Sequence, residues 1–175
     1  MAELRDIRWL FVDLGSTLIN EGRAISDRMR RMSQAFLDLG TQVSARAIRR
    51  SFEEASAEFA PSLVERAAES VAENPADVAY VLRRARYRNE LEEPYSEAYG
   101  LLSRLAPQYK IGIIANQSPG AETRVEKHGL APFISLFFSS AEVGLEKPDP
   151  AIFRLALSEA KCKPSRALMI GDRID

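Results

Sequence analysis

Cysteine is nearly absent from this chain. Cys162 stands alone among 175 residues, which excludes an intrachain disulfide and a zinc cage built from cysteines. Histidine is as scarce: His128 is the only one, so a histidine-based triad has a single candidate. It falls at a predicted helix end before Gly129, where the helix dipole favours a surface histidine and no chemistry is required. An excess of either charge is also missing, with 24 Lys and Arg against 25 Asp and Glu. That balance gives no electrostatic reason to expect nucleic acid or an anionic membrane as a partner. Apolar runs are all far too short for a membrane span, and Glu3, Arg5, Asp6 and Arg8 interrupt any leader-like apolar stretch. The expectation is a cytoplasmic protein.

What the chain does have is enough apolar residue for a core. Hydrophobic residues make up 46% and charged residues 28%, values that exclude disordered and fibrous classes. The apolar residues fall in two patterns. Ile7 to Val12, Tyr109 to Ala115, Ala167 to Ile170 and, more weakly, Ile134 to Phe138 are short β-rich runs. Each stops at a polar loop, as buried parallel strands do. Helical spacings lie between them: Leu101, Leu102 and Leu105, then Glu122 to His128 ending at Gly129, then Pro150 to Ala160. Strands alternating with helices predict an α/β core on a parallel sheet. In such sheets ligands bind at the carboxyl ends of the strands, where Asp13, Asn116 and Asp172 fall.

Residues 20–94 have no strand-like run. Ser26 is expected to cap a helix to Leu39, and Ser44 another through Phe59. Two more helices are expected, one after Pro61 and one from Asn74-Pro75 to about Leu91. This predicts an all-helical lobe at 20–94, inserted into a core made of 1–19 and 95–175. The lobe carries 12 arginines against 13 acids. Solvated i, i+4 pairs account for most of them, leaving one or two to hold a substrate anion. Trp9 is expected in the core.

Four stretches carry the chemistry, in this order: Phe-Val-Asp13-Leu-Gly-Ser-Thr17-Leu, Ile-Ile-Ala-Asn116, Glu-Val-Gly-Leu-Glu-Lys147-Pro-Asp-Pro-Ala-Ile-Phe153, and Met-Ile-Gly-Asp172-Arg-Ile-Asp175. Together they resemble the haloacid dehalogenase-like (HAD) hydrolases, in the subgroup with a helical cap inserted after the first strand. The resemblance implies a Rossmann-like core and phosphoryl transfer by a carboxylate. Asp13 takes the nucleophile's place and Lys147 that of the charge stabiliser. Mg2+ is implied at Asp13, the Gly15 carbonyl, Asp172 and Asp175, and phosphate binding at Thr17, Ala115 and Asn116. The expected activity is a Mg-dependent phosphatase for a small phosphorylated metabolite, through an aspartyl-phosphate.

The departures shape that expectation. Gly15 stands where these phosphatases usually carry a second Asp as general acid and base. Such help is worth about two to four orders of magnitude. Ala115 stands where a Ser or Thr usually donates to the phosphoryl oxygens. A catalytically weak or inactive domain that binds a ligand or partner is therefore the alternative, and 2-haloacid dehalogenation ranks third. Relatives continue past the fourth motif with a helix and another strand. The core is thus expected to lack its C-terminal elements, leaving Ala167 to Ile170 on an open sheet edge where copies of the chain could pair.

Overall fold

The computed structural model describes residues 6–58, 60 and 62–172. They form two compact units: one made by the chain up to Glu21 and from Glu92 onward, the other by Gly22–Leu91.

The first unit is built on four parallel strands: β1 (Trp9–Val12), β4 (Lys110–Ala115), β5 (Ile134–Ser139) and β6 (Ala167–Ile170), in the order β5-β4-β1-β6. All three neighbouring pairs run parallel. Successive strands step outward from β1 to β4 to β5, and the chain then returns to the far side of β1. The strand order therefore reverses at β1, and crevices in open α/β sheets form at the carboxyl ends beside such a reversal.

β1 is buried on both faces, and its period of two sorts its side chains. Leu10 and Val12 join Ile111, Ile113, Leu102, Val125 and Leu130 on one face, beside α5 (Ala98–Leu105) and α6 (Ala121–Lys127). Trp9 and Phe11 join Ile114, Phe138, Ile152 and Ala156 on the other, which α8 (Pro150–Glu159) covers. The Trp9 and Phe11 rings stack at 5.5 Å. Gly112 must be glycine here, because a Cβ would meet the Phe11 ring at 2.7 Å. Among the described residues β6 has one sheet neighbour, β1, and Leu168, Met169 and Ile170 are exposed.

Helix ends follow the sequence. Asp149 caps α8 by accepting from the Ala151 N–H at 2.8 Å, with Pro150 in the first turn. Gly129 leaves α6 at φ +71°. A feature without a sequence signal is the antiparallel pair of two-residue strands, β2 (Ile19–Asn20) with β3 (Glu93–Pro94). Two residues are too few to show a period.

The second unit is helical: α1 (Gly22–Asp38), α2 (Ala45–Ala57), α3 (Leu63–Val71) and α4 (Asp77–Arg84). Met29, Met32, Phe36, Ile48, Ala68, Val78 and Val81 form its core. Ser44 caps α2 through the Ala47 N–H at 3.1 Å, as expected. Two details differ from the sequence reading. α1 begins at Gly22, so Ser26 is inside the helix. The fully buried Ala24 belongs to its packed face and extends the amphipathic pattern upstream. α4 stops at Arg84, and only a short 3-10 turn (Asn89–Leu91) follows. The carbonyls of Arg84, Ala85 and Arg86 are taken by the guanidiniums of Arg31 and Arg28, which satisfies them where helical N–H groups would otherwise be needed.

Candidate active site

Asp13 follows the last residue of β1, and its N–H still donates to the Ile170 carbonyl of β6 at 2.8 Å. The strand ladder thus fixes its backbone. Its Oδ1 accepts from the Leu14 N–H at 2.8 Å and meets Lys147 Nζ at 2.9 Å. The two side chains are 17% and 16% exposed, so solvent screens this pair less than a surface ion pair.

Lys147 lies in the loop before α8, and Asn116 holds that loop in place. Asn116 Oδ1 accepts from the Lys147 N–H at 2.7 Å, while its Nδ2 donates to the Lys147 carbonyl at 2.7 Å. One amide side chain thereby pairs with both main-chain groups of the lysine, as a neighbouring strand would. Asn116 follows Ala115, the fully buried end of β4. Ends of β1 and β4 together set the Asp13–Lys147 distance.

The remaining expected residues gather around Asp13 to different degrees. Gly171 follows β6 and lies so close that a Cβ on it would be 3.5 Å from Asp13 Cβ and 4.0 Å from Oδ2. Asp172 comes next and is exposed. Thr17 Oγ1 is buried and has no hydrogen-bond partner among the described residues. Asp175 lies outside the described residues.

The surroundings of Gly15 were not foreseen from the sequence. A Cβ there would collide with the Glu21 carboxylate and come within 3.0 Å of Gln117 Nε2. Glu21 Oε1 accepts from Gln117 Nε2 at 3.3 Å, Gln117 Oε1 accepts from Arg124 Nη2 at 2.6 Å, and Arg124 pairs with the buried Glu92 at 3.1 Å. The Gln117 main chain is tied to β5's end, its N–H donating to Ser140 Oγ at 3.1 Å. Burial pushes the Glu21 carboxyl above the ordinary range, and the charges of Glu92 and Asp13 add to that rise. The Gln117 hydrogen bond and Arg124 offset part of it. Adjacency to the motifs was the available signal: Gln117 follows Asn116, and Glu21 closes the loop after Thr17. Arg124 and Glu92 carried none, because only folding brings them there.

Among the described residues no three His, Cys, Asp or Glu side chains form a metal-binding group. Magnesium needs fewer, since it takes one or two carboxylates and completes its shell with carbonyls, phosphate and water. Asp13, the Gly15 main chain two residues on, and Asp172 beside Gly171 supply hard oxygen donors of that type. The residues present fit the ion.

A family model for haloacid dehalogenase-like hydrolases matches residues 7–175. The chain belongs to that family. Over 85 residues this HAD-like hydrolase is 40% identical to the pyrimidine 5'-nucleotidase YjjG of Escherichia coli (strain K12), a match covering 47% of the chain and 38% of YjjG. The curated relatives first met are thus matched over less than half their length. Solved structures share the fold over more of the chain. A predicted phosphoglycolate phosphatase from Haemophilus somnus 129PT superposes with a TM-score of 0.72 at 18% identity, covering 95% of this chain and 77% of that one. YfnB from Bacillus subtilis, assigned to the HAD hydrolases and bound to magnesium, gives 0.70 at 20%, with 95% and 78% covered. No helix among the described residues is long and apolar enough to cross a membrane.

Proposed function

We propose that this HAD-like hydrolase is a Mg-dependent phosphatase of small phosphorylated metabolites, working through an aspartyl-phosphate, the mixed anhydride of Asp13 and phosphate. The observation that carries this reading is the partly buried Asp13–Lys147 pair, set by the ends of two neighbouring strands. Phosphoryl transfer to a carboxylate asks for a positioned oxygen and a cation beside it. Lys147 and the Leu14 N–H both hold Oδ1, which orients the carboxylate and leaves Oδ2 to attack phosphorus. The bond from Asp13 to phosphorus forms as the bond from phosphorus to the ester oxygen breaks, that oxygen taking a proton from water and leaving as the alcohol. A water molecule then adds to phosphorus, the Asp13 O–P bond breaks, and inorganic phosphate and the free carboxylate are released. Lys147 offsets the charge of the transferring group. The unsatisfied Thr17 hydroxyl gains an acceptor when a phosphoryl oxygen arrives, and main-chain N–H groups at Ala115 and Asn116 serve the same oxygens.

Magnesium, held by Asp13, the Gly15 carbonyl and Asp172, with Asp175, would reduce repulsion between the carboxylate and the phosphate dianion. Gly22–Leu91 takes the role of a substrate-selecting cap. Among the described residues β1 is the sheet neighbour of β6, and pairing of a second copy of the chain with β6 belongs to this reading, as does a cytoplasmic setting.

The test is phosphate release from a panel of phosphomonoesters with and without magnesium. Wild-type turnover that requires magnesium and falls by at least about three orders of magnitude in Asp13→Asn is the expected result. Turnover that survives in Asp13→Asn overturns the assignment. A folded wild-type chain that hydrolyses no ester favours the binding-domain reading.

A further inference from the structure

The arginines of the helical unit divide by burial and pairing. Only Arg28 and Arg31 are half-buried; the others there are exposed. Arg31 has a carboxylate, Asp27, at 2.7 Å, and its terminal nitrogens go to the carbonyls of Arg84 and Arg86. Arg28 differs. Its Nε–H donates to the Ala85 carbonyl at 3.0 Å, and its guanidinium carbon lies 5.9 Å from the centre of the Tyr87 ring. No carboxylate among the described residues lies within 4 Å of it.

The acid next to it in sequence is already committed. Asp27 meets Arg30 at 2.9 Å, Arg31 at 2.7 Å and Arg88 at 3.7 Å, so one carboxylate answers three guanidiniums and none is left for the fourth. A partly desolvated cation beside a like charge is unfavourable unless an anion joins it. Burial and the Arg31 charge accordingly pull the Arg28 pKa down. A purely structural strut explains the Nε bond, but it leaves both terminal nitrogens unexplained. Those nitrogens form the fork that matches two oxygens of one anion.

We infer that Arg28 is the fork of an anion-binding site within the helical unit, taking a carboxylate or phosphate group through its terminal N–H donors. The charge of Arg31 strengthens the field, and Tyr87 forms an aromatic wall. Two sources supply such a group: a second anionic group on the substrate, or a free small anion. The first rests on the phosphatase reading; the second does not.

The experiment begins without turnover. Arginine Nε–H signals of the 15N-labelled full chain are followed by NMR during separate titrations with malonate and inorganic phosphate. Arg28→Lys, which keeps the cation and removes the fork, identifies the signal. Millimolar anion should move the Arg28 signal, and calorimetry should find malonate bound at least about tenfold more weakly by Arg28→Lys. The second arm compares 3-phosphoglycerate with glycerol 3-phosphate, which differ by one carboxylate. A KM raised about tenfold in Arg28→Lys for the first ester alone assigns the site to the substrate. A moved signal with both KM values unchanged assigns it to a free anion, and both outcomes uphold the site. An Arg28 signal unmoved by both anions overturns it, whether or not any ester turns over. If the variant fails to fold, the wild-type titration still decides.

Discussion

Charges in the two units are held by different means. In the helical unit three of the six ion pairs among the described residues come from local spacing: Arg30 and Arg31 reach Asp27 from three and four positions away, and Arg50 reaches Glu54 from four. A helix brings such residues together wherever it forms. In the α/β unit the pairs join distant segments. Asn116 and Lys147 are 31 positions apart, and Gln117 and Glu21 are 96 apart. Local pairs decorate a surface, whereas pairs between strand ends exist only if the sheet does. The Asp13 cluster is therefore as rigid as the β1–β4–β6 ladder beneath it. Arg28 and Arg31 are the instructive cases, because they reach the carbonyls of residues 84–86 from 53 to 57 positions away, and Arg28 is the one of these two half-buried arginines without a carboxylate.

The largest expected effects would separate the units. Phe36→Ala opens the helical core and Ile113→Ala the sheet core; both side chains are fully buried, and each loss should cost about 3 to 4 kcal/mol. Hydrogen exchange is the measurement. Phe36→Ala should release amides of α1 to α4 and leave β1 and β4 protected, with Ile113→Ala doing the reverse. Loss of protection in both units from either change would show one cooperative structure and dissolve the comparison.

A smaller effect would sharpen the non-local half. Asn116→Ala frees the Lys147 main chain, and turnover should fall about ten- to a hundredfold, mainly in kcat. If Asn116 acts by placing Lys147, the same change should add almost nothing in a Lys147→Ala background. Additive losses would instead give Asn116 its own contact with substrate.

The smallest effect concerns the local half. Burial raises the Asp27 carboxyl pKa, but hydrogen bonds from Arg31 and Arg30 outweigh it and hold the group below the ordinary range. A depressed folded pKa stabilises the fold above the unfolded value, and the gain is lost as pH falls through the folded value. Asp27→Asn should thus cost about 1 kcal/mol at pH 7, and the difference should shrink to nothing in acid. Urea melts across pH check this, and a cost that persists below the carboxylate range would contradict the ion-pair account.

Much of this was legible in the chain itself. The apolar runs ending at Asp13, Asn116 and Gly171-Asp172 mark buried strands because a parallel sheet covered on both faces demands continuous apolar side chains. Ser44 and Asp149 mark helix starts because their oxygens satisfy free N–H groups locally. The early end of α4 was not legible. Its carbonyls are satisfied by Arg28 and Arg31 from another helix, which local propensity does not register.

By itself, then, the sequence determined the strand and helix alternation, since that rests on periodicity and capping, and it marked Asp13 and Lys147 as candidates through motifs that resemble those of a known family. Tertiary structure alone decided that Asn116 clamps the Lys147 loop, that Glu21 fills the space beside Gly15, and that of the two half-buried arginines of the helical unit Arg28 is the one without a carboxylate. Those are facts about which distant groups share a few ångströms, and no local pattern encodes a distance across the fold.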